Sequence, residues 1–216
     1  MATLNPKKIF RLFFPTARRL LVELDINKYC NDVYKSVLVI GAGHDPYRHR
    51  FPSAKSYVAF DIALTPGVTT IVGDAQSLPF LGEQFDCVIA IEVLEHIENP
   101  LKMADEIYRV LMPGGKLILS VPFLFHEHGD PYDFNRPTKR GLEIFASKFC
   151  HLYVRAQGNR IHVLSDLITT TFHPHSIFFP LRIFNRLFVS KFIMNLFNKF
   201  DSQTSAPSGY FLVAKK

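Results

Sequence analysis

Short apolar runs rich in β-branched residues recur along residues 37–122, and each stops at a polar or turn-forming residue. Val37-Leu-Val-Ile40 stops at Gly41-Ala-Gly43, Tyr57-Val-Ala-Phe60 at Asp61, Thr69-Thr-Ile-Val72 at Gly73-Asp74, Phe85 to Ile91 at Glu92, and Lys116 to Val121 at Pro122. Apolar runs of this length fit strands covered on both faces, as in parallel sheets. Between the fourth and fifth runs, Pro100 to Met112 carries Leu101, Ala104, Ile107, Val110 and Leu111 at helical spacing and stops before Pro113-Gly114-Gly115. That spacing predicts a helix. Strands alternating with helices predict an α/β fold with a doubly wound, mostly parallel sheet, whose ligands bind outside the carboxyl ends of the strands. The residues that end the runs fall on that edge.

His151 to Ala156 and Gly209 to Lys215 supply a sixth and a seventh strand, separated by an insertion over about 158–206. Connections in compact domains are usually much shorter. Within the insertion, Arg182, Asn185, Arg186 and Ser190 fall on one helical face, and Lys191, Asn195, Asn198 and Lys199 fall on roughly the opposite one. Two short helices broken near Ser190 fit this better than one amphipathic helix. A hairpin packed on the domain's own core and a lipid-facing element both remain open. The expected organisation is a basic helical segment over 1–35, then one domain over 36–216 that carries the insertion.

Composition narrows the class. A chain of 216 residues, 48% hydrophobic with 21 Phe, has enough apolar surface to fold as one ordinary globular domain. Three widely spaced cysteines, Cys30, Cys87 and Cys150, give neither a disulfide framework nor a metal-binding pair, which points to a reducing, cytoplasmic setting. No secretory signal is read at the start, and Arg182, Arg186, Lys191 and Lys199 interrupt the apolar stretch 177–200 before it reaches the ~18 residues of a spanning helix. The net charge of +6 is uneven: an acidic middle lies between two basic ends. Basic, apolar ends suit peripheral contact with an anionic membrane at the inner face, whereas the acidic middle argues against nucleic acid.

The glycine turn discriminates between cofactors. A diphosphate needs bare backbone N–H groups at this turn, but Gly41-Ala42-Gly43 continues into His44-Asp45-Pro46, where Asp45 repels phosphate and Pro46 has no N–H. S-adenosylmethionine has no phosphate and carries two positive groups, so an acidic turn tolerates it; NAD would have to bind despite Asp45 and Pro46. Asp61, eighteen residues beyond Gly43, can accept hydrogen bonds from both hydroxyls of a ribose. Asp74 can accept from an adenine amine, with Ala75 and Gln76 beside the ring.

These residues resemble class I, Rossmann-like, S-adenosylmethionine-dependent methyltransferases of the type 11 kind. The matching pieces are Val37 to Gly43, Phe60-Asp61, Gly73 to Phe80, Phe85 to His96 and Arg109 to Gly115. The resemblance implies a cofactor site in which Gly41 and Gly43 approach the methionine part, Asp61 the ribose, Asp74 and Ala75 the adenine, and Glu92 the methyl group, with Ala42, Asp45, Ile62 and Gln76 also among the cofactor-binding residues. Val39 and Asp45 stand where the family carries an acidic residue and a third glycine. The turn and the segment after the fifth strand are also similar to bacterial members found with polysaccharide and lipid-glycan biosynthesis.

Pro122 to Thr138 follows the fifth strand and should cover the mouth of that site. Methyl transfer to a hydroxyl needs a positioned acceptor and removal of its proton. His126 or His128 is expected as the base and Asp130 or Asp133 as its orienting carboxylate, because imidazole titrates near neutrality and a carboxylate fixes its tautomer. The same aspartates could simply build turns, and Thr138 could cap a helix over 142–149. His126-x-His128-x-Asp130 also has the spacing of a divalent metal half-site, but no complete ligand set is legible and no metal is assigned. Arg136 could hold an acidic group of the acceptor or pair with a nearby aspartate, and His96 could face the pocket or merely end a helical turn. The expected activity is O-methylation of a glycan, lipid-linked sugar or related metabolite. A quinone-like or lipid acceptor, and a non-catalytic binding or scaffold protein on the same fold, are the alternatives.

Overall fold

The computed structural model describes residues 16–30, 32–45, 47–128, 132–171 and 206–216. Its strands are β1 (Ser36–Ile40), β2 (Ser56–Asp61), β3 (Ile71–Val72), β4 (Phe85–Ile91), β5 (Leu111–Pro122), β6 (Cys150–Gln157) and β7 (Gly209–Lys215). They form one sheet in the order β3-β2-β1-β4-β5-β7-β6. The pairs β3–β2, β2–β1, β1–β4 and β4–β5 are parallel. β7 runs antiparallel to β5, since Gly114 N–H donates to the Lys216 carbonyl and Lys216 N–H to that of Gly115, both at 3.0 Å. This is the doubly wound, mostly parallel seven-stranded sheet that the apolar runs predict. Val37 to Ile40, Cys87 to Ile91 and Leu117 to Val121 are all buried, which is why these segments lack polar alternation.

The helices are α1 (Ala17–Tyr29), α2 (Pro100–Val110), α3 (Lys139–Phe145) and α4 (Arg160–Thr171). In α2, Asn99 caps by accepting from Lys102 N–H, and Pro100 occupies the first turn, where its missing N–H costs nothing. Met103, Ala104, Ile107 and Val110 form its buried face, and each large side chain there contributes about 2 kcal/mol over leaving it in water. Leu101 and Met112 differ from expectation. Leu101 is exposed, and the helix ends at Val110 because Leu111 already turns into extended backbone. Pro113-Gly114-Gly115 therefore belongs to β5, held there by the hydrogen bonds to Lys216. In α3, Thr138 caps by accepting from Gly141 N–H at 3.2 Å.

The chain groups into two compact units. The larger comprises the described residues of 25–123, 127–155 and 210–216; the smaller comprises 16–24, 124–126, 156–171 and 206–209. The expected helices on either side of Ser190 lie outside the described residues. No helix among the described residues is long and apolar enough to cross a membrane. Cys30 and Cys87 are buried and Cys150 is exposed; burial pushes the Cys30 thiol up to about 11 and raises that of Cys87 well above its ordinary value.

In the smaller unit, a side chain distant in sequence starts α1. The buried Asp166 carboxyl accepts from the N–H groups of Ala17 at 2.6 Å and Arg18 at 3.1 Å, and Arg18 donates to Gln157 Oε1 at 2.7 Å. Burial pushes Asp166 up to about 7 against the pull of these donors and the Arg18 charge. Because this folded value exceeds the ordinary ~3.9, the native state holds the extra proton between the two. The resulting stabilisation is full below about pH 4 and is lost as pH rises through about 7, amounting to at most about 4 kcal/mol. Urea melts from pH 4.5 to 8 should show this decline in the wild type and a flatter profile in Asp166→Asn; equal slopes would refute it.

Candidate functional site

The glycine turn leaves β1 through two residues with left-handed backbone, Gly41 at φ +69° and Gly43 at φ +52°. Gly41 has no room for a side chain, since a Cβ there would lie 2.2 Å from Val93 Cγ2. The backbone approach to Val93 explains this glycine better than any ligand. Asp61, at the carboxyl end of β2, ties the turn to its own strand: Oδ2 accepts from Gly43 N–H at 2.8 Å and Oδ1 from Ala63 N–H at 3.0 Å. Each oxygen keeps a second lone pair for another donor. Asp45, also left-handed at φ +45°, accepts from the Tyr57 hydroxyl of β2 at 2.6 Å. Burial, reinforced by that hydrogen bond, holds the Tyr57 proton well above the ordinary phenol range. The acidic turn residue thus braces the turn from β2.

Beyond β3, the exposed Asp74 accepts from the N–H of Gln76 at 2.8 Å and from its amide nitrogen at 3.1 Å. Gln76 Oε1 in turn accepts from Asn99 N–H at 3.0 Å. Ala75 is buried, and Ile62 is exposed beside Asp61. The following segment is clamped by α2: Arg109 donates to the carbonyls of Phe80 and Leu78 at 2.7 and 3.0 Å, and Glu106 accepts from Leu78 N–H at 2.7 Å. The sequence pattern gives no role to this Glu106–Arg109 pair, because their three-residue spacing is common on any exposed helix face.

At the end of β4, Glu92 adopts φ +55°. Its N–H donates to the Ser120 carbonyl at 3.0 Å, and its carboxylate accepts from the Ser120 hydroxyl at 2.6 Å. A single helical turn, Leu94–His96, follows. The segment after Pro131 is stitched onto it: Phe134 and Asn135 N–H donate to the Glu95 carbonyl, the Asn135 amide to the Ile97 carbonyl, and His96 Nδ1 to the Tyr132 carbonyl at 2.5 Å. His128 is thereby brought to Glu95 and His96. The Glu95 carboxylate is fully buried, with its Oε1 3.7 Å from His96 Nε2 and 3.9 Å from His128 Nε2. Asp133 accepts from His128 N–H at 3.0 Å, lies 3.6 Å from His128 Nδ1, and pairs with the Arg136 guanidinium. Burial pushes the Asp133 carboxyl up, but Arg136 and the His128 N–H outweigh it and hold the group below its ordinary value.

Of the expected catalytic residues, the structure brings together His128 and Asp133 and adds Glu95 and His96 to them. Arg136 is engaged by Asp133. His126 belongs to the smaller unit, exposed and packed against the Phe125 ring with centroids 4.3 Å apart. Asp130 lies outside the described residues. Glu95 escapes a reading of the sequence because its neighbour His128 is more than thirty positions away.

The residues present fit S-adenosylmethionine better than a dinucleotide. The Gly43 N–H that a diphosphate would need already goes to Asp61, and carboxylates at Asp61, Asp74 and Glu92 follow β2, β3 and β4. Residues 41–119 match the family model described as a methyltransferase domain. The chain is 29% identical over 118 residues to a ubiquinone/menaquinone biosynthesis C-methyltransferase of Pasteurella multocida, covering 50% of this chain and 42% of that protein. A crystal structure described as a SAM-dependent methyltransferase from Archaeoglobus fulgidus superposes with a TM-score of 0.59 at 14% identity, covering 98% of this chain and all of that one. A Haemonchus contortus phosphoethanolamine N-methyltransferase in complex with S-adenosylhomocysteine gives a TM-score of 0.60 at 18% identity, covering 97% of this chain and 57% of that one. The chain spans less than half the length of the curated relatives it matches. The chain therefore shares its fold with these solved methyltransferase structures.

Proposed function

We propose that the chain transfers a methyl group from S-adenosylmethionine to a small-molecule acceptor. The observation that carries this reading is the row of carboxylates Asp61, Asp74 and Glu92 at successive strand ends, beside a glycine turn whose Gly43 N–H is spent on Asp61. Asp61 would hold the ribose, Asp74 and Gln76 the adenine amine, and the Gly41 to Gly43 backbone the methionine part. The bound cofactor supplies a methyl carbon already activated by its sulfonium. The protein's own task is then positional: Asp61 and Asp45 brace the turn, Glu106 and Arg109 fix the segment beyond Asp74, and Ser120 fixes Glu92.

For the acceptor, the reading is a hydroxyl of a glycan, lipid-linked sugar or related metabolite. Its support is the cluster of histidine and carboxylate groups beyond β4, a set suited to handling a hydroxyl, together with basic, apolar ends that suit an anionic membrane face. A quinone-like acceptor is the second reading, favoured by the name of the Pasteurella multocida relative. Incubation with methyl-labelled S-adenosylmethionine and two acceptor panels, lipid-linked glycans and reduced polyprenyl quinones, separates them. An O-methyl product on the first panel is expected; a C-methyl product on the second favours the alternative. Absence of cofactor binding by calorimetry would move the chain to the scaffold reading.

A further inference from the structure

We propose that Glu95, His96 and His128 form a site for one divalent first-row transition-metal ion. One donor atom from each of these three residues lies within 4.8 Å of the others. Side-chain adjustment would bring two imidazole nitrogens and a carboxylate oxygen to the ~2.1 Å of metal coordination. Two histidines and one carboxylate suit zinc, cobalt, manganese or iron(II) rather than magnesium or calcium, which favour all-oxygen sets.

Four features beyond proximity point to a metal. First, the Glu95 carboxylate is fully buried, and both imidazoles present a ring nitrogen to its Oε1; a buried carboxylate gains from a cation at its oxygen. Second, His96 Nδ1 donates to the Tyr132 carbonyl, so the ring's lone pair is on Nε2, the nitrogen nearer Glu95. Third, His128 presents Nδ1 to Asp133, itself held by Arg136, and Nε2 to Glu95. Metal-bound histidines characteristically have the other ring nitrogen held by a carbonyl or a carboxylate; here the His96 ring is hydrogen-bonded to a carbonyl, and the Asp133 carboxylate lies 3.6 Å from His128 Nδ1. Fourth, the backbone bonds from Phe134 and Asn135 to the Glu95 carbonyl, with that from His128 N–H to Asp133, tie together the segments that carry the donors. The imidazoles keep partial exposure, 19% for His96 and 35% for His128, which leaves a side from which the ion could take further oxygen ligands.

This assignment reaches beyond the methyl-transfer reading and stands without it. It changes the role of His128, since Nε2 cannot be a metal ligand and a proton acceptor at once; His128 and Asp133 become ligand and positioning residue instead of base and orienter.

Cobalt(II) provides a readout independent of the cofactor. Titrated into the full chain after chelator treatment and dialysis, Co²⁺ should give saturable visible absorption at one equivalent, displaced by Zn²⁺. His128→Asn and His96→Gln should each weaken it on the order of 100-fold, and Asp133→Asn about 10-fold. Circular dichroism melts establish that each variant is folded; the partly exposed position of His128 makes its variant the one that decides if His96→Gln fails to fold. No saturable absorption, or absorption equal in the wild type and a folded His128→Asn, would overturn the site and leave an internal ion-pair cluster. Calorimetry with S-adenosylmethionine on the same samples separates this failure from a failure of the methyl-transfer reading.

Discussion

Asp61→Ala should weaken S-adenosylmethionine binding about 100-fold. The carboxylate has two tasks. It holds the glycine turn, accepting from Gly43 N–H at 2.8 Å and Ala63 N–H at 3.0 Å, and in the proposed function it receives the ribose hydroxyls on its remaining lone pairs. Hydrogen bonds to a charged acceptor contribute about 1.5 kcal/mol each at the low end; losing two costs about 3 kcal/mol, or two decades in affinity. Asp61→Asn keeps one oxygen acceptor and should lose only about 10-fold. Calorimetric titration of the three proteins gives the ordering, and an unchanged dissociation constant in Asp61→Ala would remove the ribose from this residue. The backbone bonds predict a second signature: chemical shifts of Gly43 and Ala63 amides should move in the cofactor-free alanine variant.

A large loss of stability is expected from a side chain at Gly41. Its left-handed backbone, φ +69°, costs a non-glycine residue about 1 kcal/mol, and the 2.2 Å approach of an added Cβ to Val93 Cγ2 forces a buried side chain to move, at about 2 kcal/mol more. Gly41→Ala should therefore lose about 3 kcal/mol, roughly 10 °C in Tm for a chain of this size. Gly43→Ala is the matched control: its φ is +52° but nothing lies within 4 Å of the new Cβ, so only the backbone cost of about 1 kcal/mol remains. Val93→Ala in the Gly41→Ala background should recover part of the steric loss. Equal melting points for the two glycine variants would contradict the assignment of Gly41 to packing.

The centre of the sheet could be read from the sequence because β1, β4 and the second half of β5 are buried on both faces and so are written as nearly uninterrupted apolar runs. Each ends at a residue that cannot continue a buried strand, and those ends, Gly41, Asp61, Asp74 and Glu92, are the cofactor candidates. The helix boundary at Val110 was harder to read, since Leu111 is buried whether it ends a helix or begins a strand, and the bonds from Lys216 that favour the strand come from the other end of the chain. Of Glu95 and His96, the sequence singles out only His96, as a residue that faces the pocket or ends a helical turn after β4. Their meaning depends on His128, which reaches them through a backbone seam at Tyr132 to Asn135 that no local periodicity encodes. Nor does local pattern announce Asp166 as the cap of α1, far away in sequence.

The three cysteines offer a counting assay. Cys150 is exposed at the start of β6, whereas Cys30 and Cys87 are buried with thiols held protonated. A maleimide pulse on the native protein should add one mass tag, and on the unfolded chain three. The tag number thus reports opening of the fold molecule by molecule in the mass spectrum, in unpurified mixtures and without a fluorophore. Because β6 is the sheet edge opposite β3, the native tag sits across the sheet from the cofactor strands. A labelled population can therefore be tested for ligand protection without reworking the site itself.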